Sequence, residues 1–164
     1  MELIIVKTKK QIDETARLAN EIWHEHYSSI ISEEQIDYMV EKFQSAEKIS
    51  TQIKKENYEY YNFVEDGKSV GYFGFVEQNN DVLFLSKIYL LKSERGKGFS
   101  RRAFEFLKEE AKKRGLSKIW LTVNKNNKHS IEIYKKFGMY IERTQVADIG
   151  DDFVMDDYVF VYDV

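Results

Sequence analysis

The sequence predicts an α/β (α+β) chain built around a central sheet. Three observations carry that expectation. Strand-like and helix-like segments alternate along most of the 164 residues. The run from Val82 to Leu91 is apolar at both sets of alternating positions, apart from Ser86 and Lys87, as in a strand covered on two sides. That run passes through Arg95-Gly96-Lys97-Gly98 into an amphipathic helix with Phe99, Ala103, Leu107 and Ala111 at spacing four.

Taken in order, Leu3-Ile4-Ile5-Val6 reads as a short strand. Residues 9–27 read as a helix, because Ile12, Ala16, Ala19, Ile22, Trp23 and His26 share one stripe. Ser32 with Gln35 three positions on is a capping box that opens a helix to Phe43. Residues 45–55 read as a further helix with Ile49 and Ile53 inward. Residues 58–65 and 69–77 make a hairpin about the tight-turn pair Asp66-Gly67, and residues 78–81 make the next turn. The helix after the glycine pair ends at Arg114-Gly115, a C-cap signal. Trp120 to Val123 is the next strand, Asn124 to Asn127 a polar loop, and Ser130 to Phe137 a short helix stopped by Gly138. Two last strands, about 140–146 and 153–163, flank a loop of Asp and Gly.

The length suits one domain, residues 1–164, with a real core. There is no cysteine, which excludes disulfides, thiolate metal sites and a cysteine nucleophile. The net charge is −3 with both signs interspersed, which argues against general nucleic-acid binding. No apolar run approaches the ~20 residues that span a bilayer, and the start carries no signal-peptide pattern. The expectation is a soluble cytoplasmic chain with no membrane partner.

The glycine joint reads as a phosphate pocket. Glycines let a ligand approach the backbone, a helix start offers unpaired N–H groups, and Arg95, Lys97, Arg101 and Arg102 add charge. A Walker loop is a poor match, because Asn62 stands where the first glycine would precede Gly67-Lys68-Ser69. The dinucleotide fingerprint fails at Arg101, where its third glycine belongs. Arg95-Gly96-Lys97-Gly98-Phe99-Ser100 instead resembles the R-x-x-G-x-[GA] loop of the GNAT acetyltransferases, with Ser100 as a small departure. A second block, Asn127-Lys128-His129-Ser130-Ile131-Glu132-Ile133-Tyr134-Lys135-Lys136-Phe137-Gly138-Met139, resembles the family's N-x-x-A-x-x-F-Y-x-K-x-G-F. Both stand in family order, and the resemblance covers about residues 82–162. Residues 149–158 look like a signature of uncharacterised bacterial members.

The resemblance implies a GNAT fold: a mixed sheet of about seven strands, helices on both faces, in the order β-α-α-β-β-β-α-β-α-β-β. It implies acetyl-CoA as co-substrate. Its pyrophosphate would sit on the backbone of Arg95, Gly96, Lys97, Gly98, Phe99, Ser100 and Arg101. Its pantetheine arm would pair with Ile88, Tyr89 and Leu90. Asn127 and Ser130 would bond that arm or order the loop, and Lys136 would lie near the 3′-phosphate. Tyr134 matches the tyrosine near the thioester sulfur. A phenol, with a pKa of about 10, can protonate a departing thiolate without being ionised at rest.

On the acceptor side, Ser86 stands where many members carry a glutamate base, so a water chain ending at Glu25, Asp148 or a backbone carbonyl would replace it. Residues 23–31, with Trp23, Glu25 and Tyr27, and the 147–152 loop, with Asp148, Asp151 and Asp152, would build the amine pocket. His24 and His26 are two apart on a helix and point to nearly opposite sides, so no metal is expected. The implied activity is direct transfer of an acetyl group to a primary amine of a small molecule, polyamine-like amines among the candidates, with a homodimer as the candidate assembly. A non-catalytic acyl-CoA-binding sensor, a protein N-terminus as acceptor, and a different nucleotide ligand stay open. The identity of the amine and the use of other acyl-CoAs are not legible.

Overall fold

The computed structural model describes the backbone of all 164 residues and every side chain except that of Phe153. Its strands are β1 (Glu2–Ile5), β2 (Glu59–Glu65), β3 (Lys68–Gln78), β4 (Val82–Leu90), β5 (Lys118–Asn124), β6 (Tyr140–Gly150) and β7 (Phe153–Asp163). Its helices are α1 (Lys9–Tyr27), α2 (Glu33–Phe43), α3 (Ala46–Lys55), α4 (Phe99–Lys113) and α5 (Lys128–Lys136), with a 3₁₀ turn at Lys92–Glu94. The strands form one mixed seven-stranded sheet in the order β1-β2-β3-β4-β5-β7-β6. Strands β4 and β5 are parallel, pairing Val82–Phe84 with Lys118–Trp120, while β1–β2, β2–β3, β5–β7 and β6–β7 are antiparallel. Among the described residues, no helix is long and apolar enough to cross a membrane.

The chain divides into two compact units. The first comprises Met1–Val76 and Lys87–Ser100. Its helices begin where side-chain acceptors meet orphan N–H groups. Thr8 and Gln11 form a reciprocal capping box at α1, and Ser32 and Ser45 cap α2 and α3. The core on the α1 and α3 side is Val6, Ile12, Leu18, Ala19, Ile22, Ile49, Tyr60 and Tyr72. There the Thr15 hydroxyl donates to the Gln11 carbonyl at 2.8 Å and contacts Asn62 Oδ1 at 3.1 Å. Tyr60 and Asn62 thus face these helices, and the alternate residues Tyr61 and Phe63 face the other way. On that second face Tyr61 stacks on Phe73, and Phe63 takes Phe99 edge-on with centroids 5.5 Å apart. Helices α1 and α3 therefore cover one face of β2 and β3, and Phe99 packs on the other.

The second unit comprises Glu77–Ser86 and Arg101–Val164. Helices α4 and α5 lie against one face of β7: Phe104 stacks on Phe137 and meets Tyr162 edge-on, and Tyr134 lies against Phe160. On the other face Phe84 stacks on Trp120 at 4.1 Å, and the Trp120 indole donates to Gln78 Oε1 at 3.0 Å.

The seven strands and the helices follow the implied order, with the expected helix at residues 45–55 present between the first two strands. Two expectations about bounds are corrected. The strand expected to reach Leu91 ends at Leu90, because the Leu91 N–H bonds the Val70 carbonyl and the chain then coils into the 3₁₀ turn. Residues 147–152 are not a loop. Ala147 and Asp148 pair with Met155 and Val154, and only Asp151 and Asp152, both with positive φ, make the turn. The ladder satisfies backbone groups that a loop would have left to water.

Candidate functional site

The glycine loop grows out of β4 in the first unit. The Lys92 N–H donates to the Glu25 carboxylate, which ties the 3₁₀ turn to the end of α1. Arg95 Nη2 lies 2.8 Å from His26 Nδ1. A guanidinium only donates, so this nitrogen accepts and the His26 proton sits on Nε2. Gly96 and Gly98 have φ of 78° and 91°, and a β-carbon built on either would meet no atom within 4 Å. Their peptides are thus open to an approaching ligand, and an L side chain at either would be strained. Lys97 is exposed and ion-pairs with Glu94 at 3.0 Å. The Phe99 side chain is in the core, so this residue offers a ligand its backbone alone. Ser100 is half-buried. Arg101, in the second unit, is exposed with its guanidinium 5.5 Å from the centre of the Phe137 ring.

Ile88, Tyr89 and Leu90 are half-buried at the end of β4. Beside them, Gly71 lets β3 approach without a side chain. In the second unit, Asn127 Oδ1 accepts the Ser130 N–H at 3.2 Å, so this pair caps α5. Tyr134 is only 8% exposed and lies against Phe160, with Phe137 edge-on. Lys136 is exposed.

On the acceptor side, Trp23 is 2% exposed, packed against Tyr27 and Tyr89. It supports that region from within, and the half-buried rings of Tyr27 and Tyr89 keep surface to offer. Glu25 is exposed but engaged by Lys92. Asp148 accepts the Gly150 N–H at 2.8 Å and shapes the hairpin end. Ser86 is half-buried.

The two histidines of α1 do diverge. His24 Nδ1 meets the Asn20 carbonyl at 2.8 Å and Nε2 meets Asp37 at 2.7 Å. Both partners only accept, so the ring carries two protons in this geometry. The Asn20 carbonyl raises its pKa most, burial opposes it, and Asp37 and then Glu33 add to the rise. Glu33 lies near enough to complete a set of three possible ligands with His24 and Asp37, and a metal there would have to displace the ring proton that faces Asp37.

Two buried charges escaped the sequence reading. Lys87 is 5% exposed, and its ammonium donates to the Phe43 carbonyl, to Tyr60 Oη at 2.6 Å and to Gln52 Oε1 at 3.1 Å. Burial, and then the charge of Lys48, push its pKa down to about 7 against the opposing pull of Glu56. Burial also raises the Tyr60 and Tyr72 phenols, which stay neutral and donate to Gln52 and Gln44. Asp157 on β7 is likewise 5% exposed, and its Oδ1 has no hydrogen-bond partner among the described residues. The alternations Leu83-Leu85-Lys87 and Asp157-Val159-Val161 were the signals that each points inward.

The model of the GNAT acetyltransferase family matches residues 16–139. A curated relative from Lactobacillus delbrueckii subsp. lactis, an uncharacterized N-acetyltransferase, is 26% identical over 91% of this chain and 90% of its own length. The fold is similar to that of the PaiA N-acetyltransferase of Thermoplasma acidophilum in complex with coenzyme A, with a TM-score of 0.80 at 20% identity over all of both chains. It is also similar to the ribosomal-protein-S18-alanine N-acetyltransferase of Escherichia coli, with a TM-score of 0.73 at 17% identity over 99% of this chain and 93% of that one.

Proposed function

The chain belongs to the GNAT acetyltransferase family, and from that premise we propose that it transfers the acetyl group of acetyl-CoA directly to a primary amine of a small molecule, with polyamines the first acceptors to test. The observation that supports this most is the pair Gly96 and Gly98, open at the backbone and set among Arg95, Lys97 and Arg101. Such a cradle suits a pyrophosphate. In this reading the two compact units act as one acetyltransferase domain.

Acetyl-CoA supplies an acyl group already activated on a good leaving thiol. The chain's part is positioning and proton control. The N–H groups of residues 95–101 hold the phosphates, and the backbone of Ile88, Tyr89 and Leu90 takes the amide-bearing arm as an added strand. A strand N–H near Leu90 polarises the acyl carbonyl. The Tyr134 phenol gives its proton to the departing sulfur. An alkyl ammonium with a pKa near 10.4 is neutral in roughly one molecule in 2,500 at pH 7, so the chain must also take up the proton of the amine.

Calorimetry with CoA, ATP and NAD tests the first half. Binding of CoA alone is expected, and no CoA binding overturns the reading. Thiol release over a panel of primary amines tests the second half. Ser86, in place of an acid, favours a second reading as a non-catalytic acyl-CoA sensor; CoA binding without turnover on any amine or N-terminal peptide would establish it.

A further inference from the structure

Asp157 has a place in the fold that its neighbours do not explain. It stands in a row across three strands, opposite Asn124 on β5 and Gln145 on β6. Asn124 is the last residue of β5, so the row lies at the carboxyl end of a strand that runs parallel to β4, where α/β sheets receive ligands. The turn that follows leads to the Asn127-capped helix bearing Tyr134. Strand alternation puts Asp157 on the same side as Val159 and Val161. Tyr158, Phe160 and Tyr162 take the side of α4 and α5, where Tyr134 packs. A phenol and a carboxyl group thus flank the end of the sheet from opposite faces.

A buried carboxylate with an unsatisfied oxygen is costly and is seldom kept without use. The charged neighbours of Asp157 do not pair with that oxygen. Asp156 precedes it and ion-pairs with Lys125 at 2.8 Å, and Arg143 of β6, two rows on, pairs with Glu142 at 2.7 Å. Burial first, and then Asp156, raise its pKa to about 6, with Lys125 opposing.

We propose that Asp157 is the base of the acetyl transfer, receiving the proton of the acceptor amine as the carbon–nitrogen bond forms. The inference rests on the acetyl-transfer reading above. The amine nitrogen attacks the acyl carbon, and the carbon–sulfur electron pair leaves with the sulfur. The sulfur takes the Tyr134 proton from one face, while the nitrogen loses its proton to Asp157 on the other. The phenol and the carboxyl group serve different atoms of one tetrahedral intermediate, sulfur and nitrogen, and the proton that Asp157 takes up balances the one that Tyr134 gives away. The net release is one free thiol and one proton to solvent for each ammonium consumed. A carboxylate raised towards neutrality is a stronger base than an exposed one, and near-closure to water keeps it so.

The test compares the full chain with Asp157→Asn, using CoA and spermidine as probes. CoA affinity should be equal in the two. Below about pH 6, log kcat/KM for spermidine should fall with one additional unit of slope in the wild type, absent in the variant, whose rate at pH 7.5 should drop about 100-fold. A second readout needs no turnover: removing an unpaired carboxylate should raise Tm at pH 7.5 and leave it unchanged at pH 4, whereas loss of a merely structural side chain would lower Tm at both. If the variant does not fold, carboxyl ¹³C NMR of the wild type serves. The Asp157 resonance should titrate near pH 6 and move when spermidine meets the CoA-loaded chain, and a stationary resonance overturns the role. Wild-type kinetics in a CoA-binding variant overturn this inference alone; absence of CoA binding in the wild type overturns the proposed function with it.

Discussion

Gly71 lies so close to Tyr89 that a β-carbon on the glycine would stand 2.5 Å from the Tyr89 carbonyl oxygen and 2.7 Å from Leu90 Cδ2. The absent side chain lets β3 press on the stretch of β4 assigned to the pantetheine arm. Gly71→Ala must push the β4 backbone aside. It should cost on the order of 1–3 kcal/mol in urea unfolding and weaken CoA binding about 10-fold by calorimetry. Gly67→Ala is the control. That glycine has φ of 76° and open space around it, so the change should cost about 1 kcal/mol and leave CoA affinity alone.

The glycine loop makes a contrasting case. Gly96 and Gly98 also have positive φ and no neighbours, so Ala at either should cost stability only through the backbone, about 1 kcal/mol each. In the proposed site, a β-carbon there would stand in the path of the phosphate. CoA affinity should fall at least about 10-fold in Gly98→Ala, and more in Gly98→Val, since a branched side chain tolerates this region least. Unchanged calorimetric affinity in both would remove the loop from the site.

Much of this was legible because local chemistry fixes it. Residues 9–27 carry an apolar stripe, and the helix occupies those residues; Asp66-Gly67 announced its hairpin. The glycine loop and the Asn127 block were legible as motifs because they are contiguous. What escaped depends on partners far along the chain. Lys87 looked like a polar interruption of β4, and only the fold brings it Phe43, Gln52 and Tyr60. The Arg95–His26 contact joins residues 69 apart. The Asp-rich end of β6 read as a loop because its composition is turn-like, whereas the ladder with β7 decides it. Non-local pairing overrides local preference most easily in strands.

Tyr134→Phe separates chemistry from packing. The ring is held edge-on by Phe137 and against Phe160, contacts that phenylalanine keeps. Melting and CoA affinity should therefore stay close to wild type, within about 1 kcal/mol. Loss of the proton donor should lower kcat about 100-fold on any amine the chain uses. Thiol-release kinetics at saturating acetyl-CoA check this, and an undiminished kcat would assign the phenol to packing.

Lys87 makes stability depend on pH with a sign opposite to that of a surface lysine. It bonds the carbonyl of Phe43, the last residue of α2, and reaches Gln52 of α3 from β4, so one ammonium ties two helices to the sheet. Three acceptors and the negative end of α2 favour the charged form. Desolvation outweighs them and leaves the folded pKa at about 7, below the ordinary 10.5. Between those values the unfolded chain holds a proton that the folded chain lacks, so stability rises with pH across that window. It is flat below about 7, where both states are charged, and flat again above 10.5. Against Lys87→Met, which cancels the other titrating groups, the wild type should gain on the order of 2 kcal/mol between pH 7 and 9 and nothing between pH 5 and 6. Urea unfolding of both proteins across this range checks it. A difference that stays constant with pH would mean that Lys87 is charged throughout, held by its three acceptors more firmly than burial opposes them.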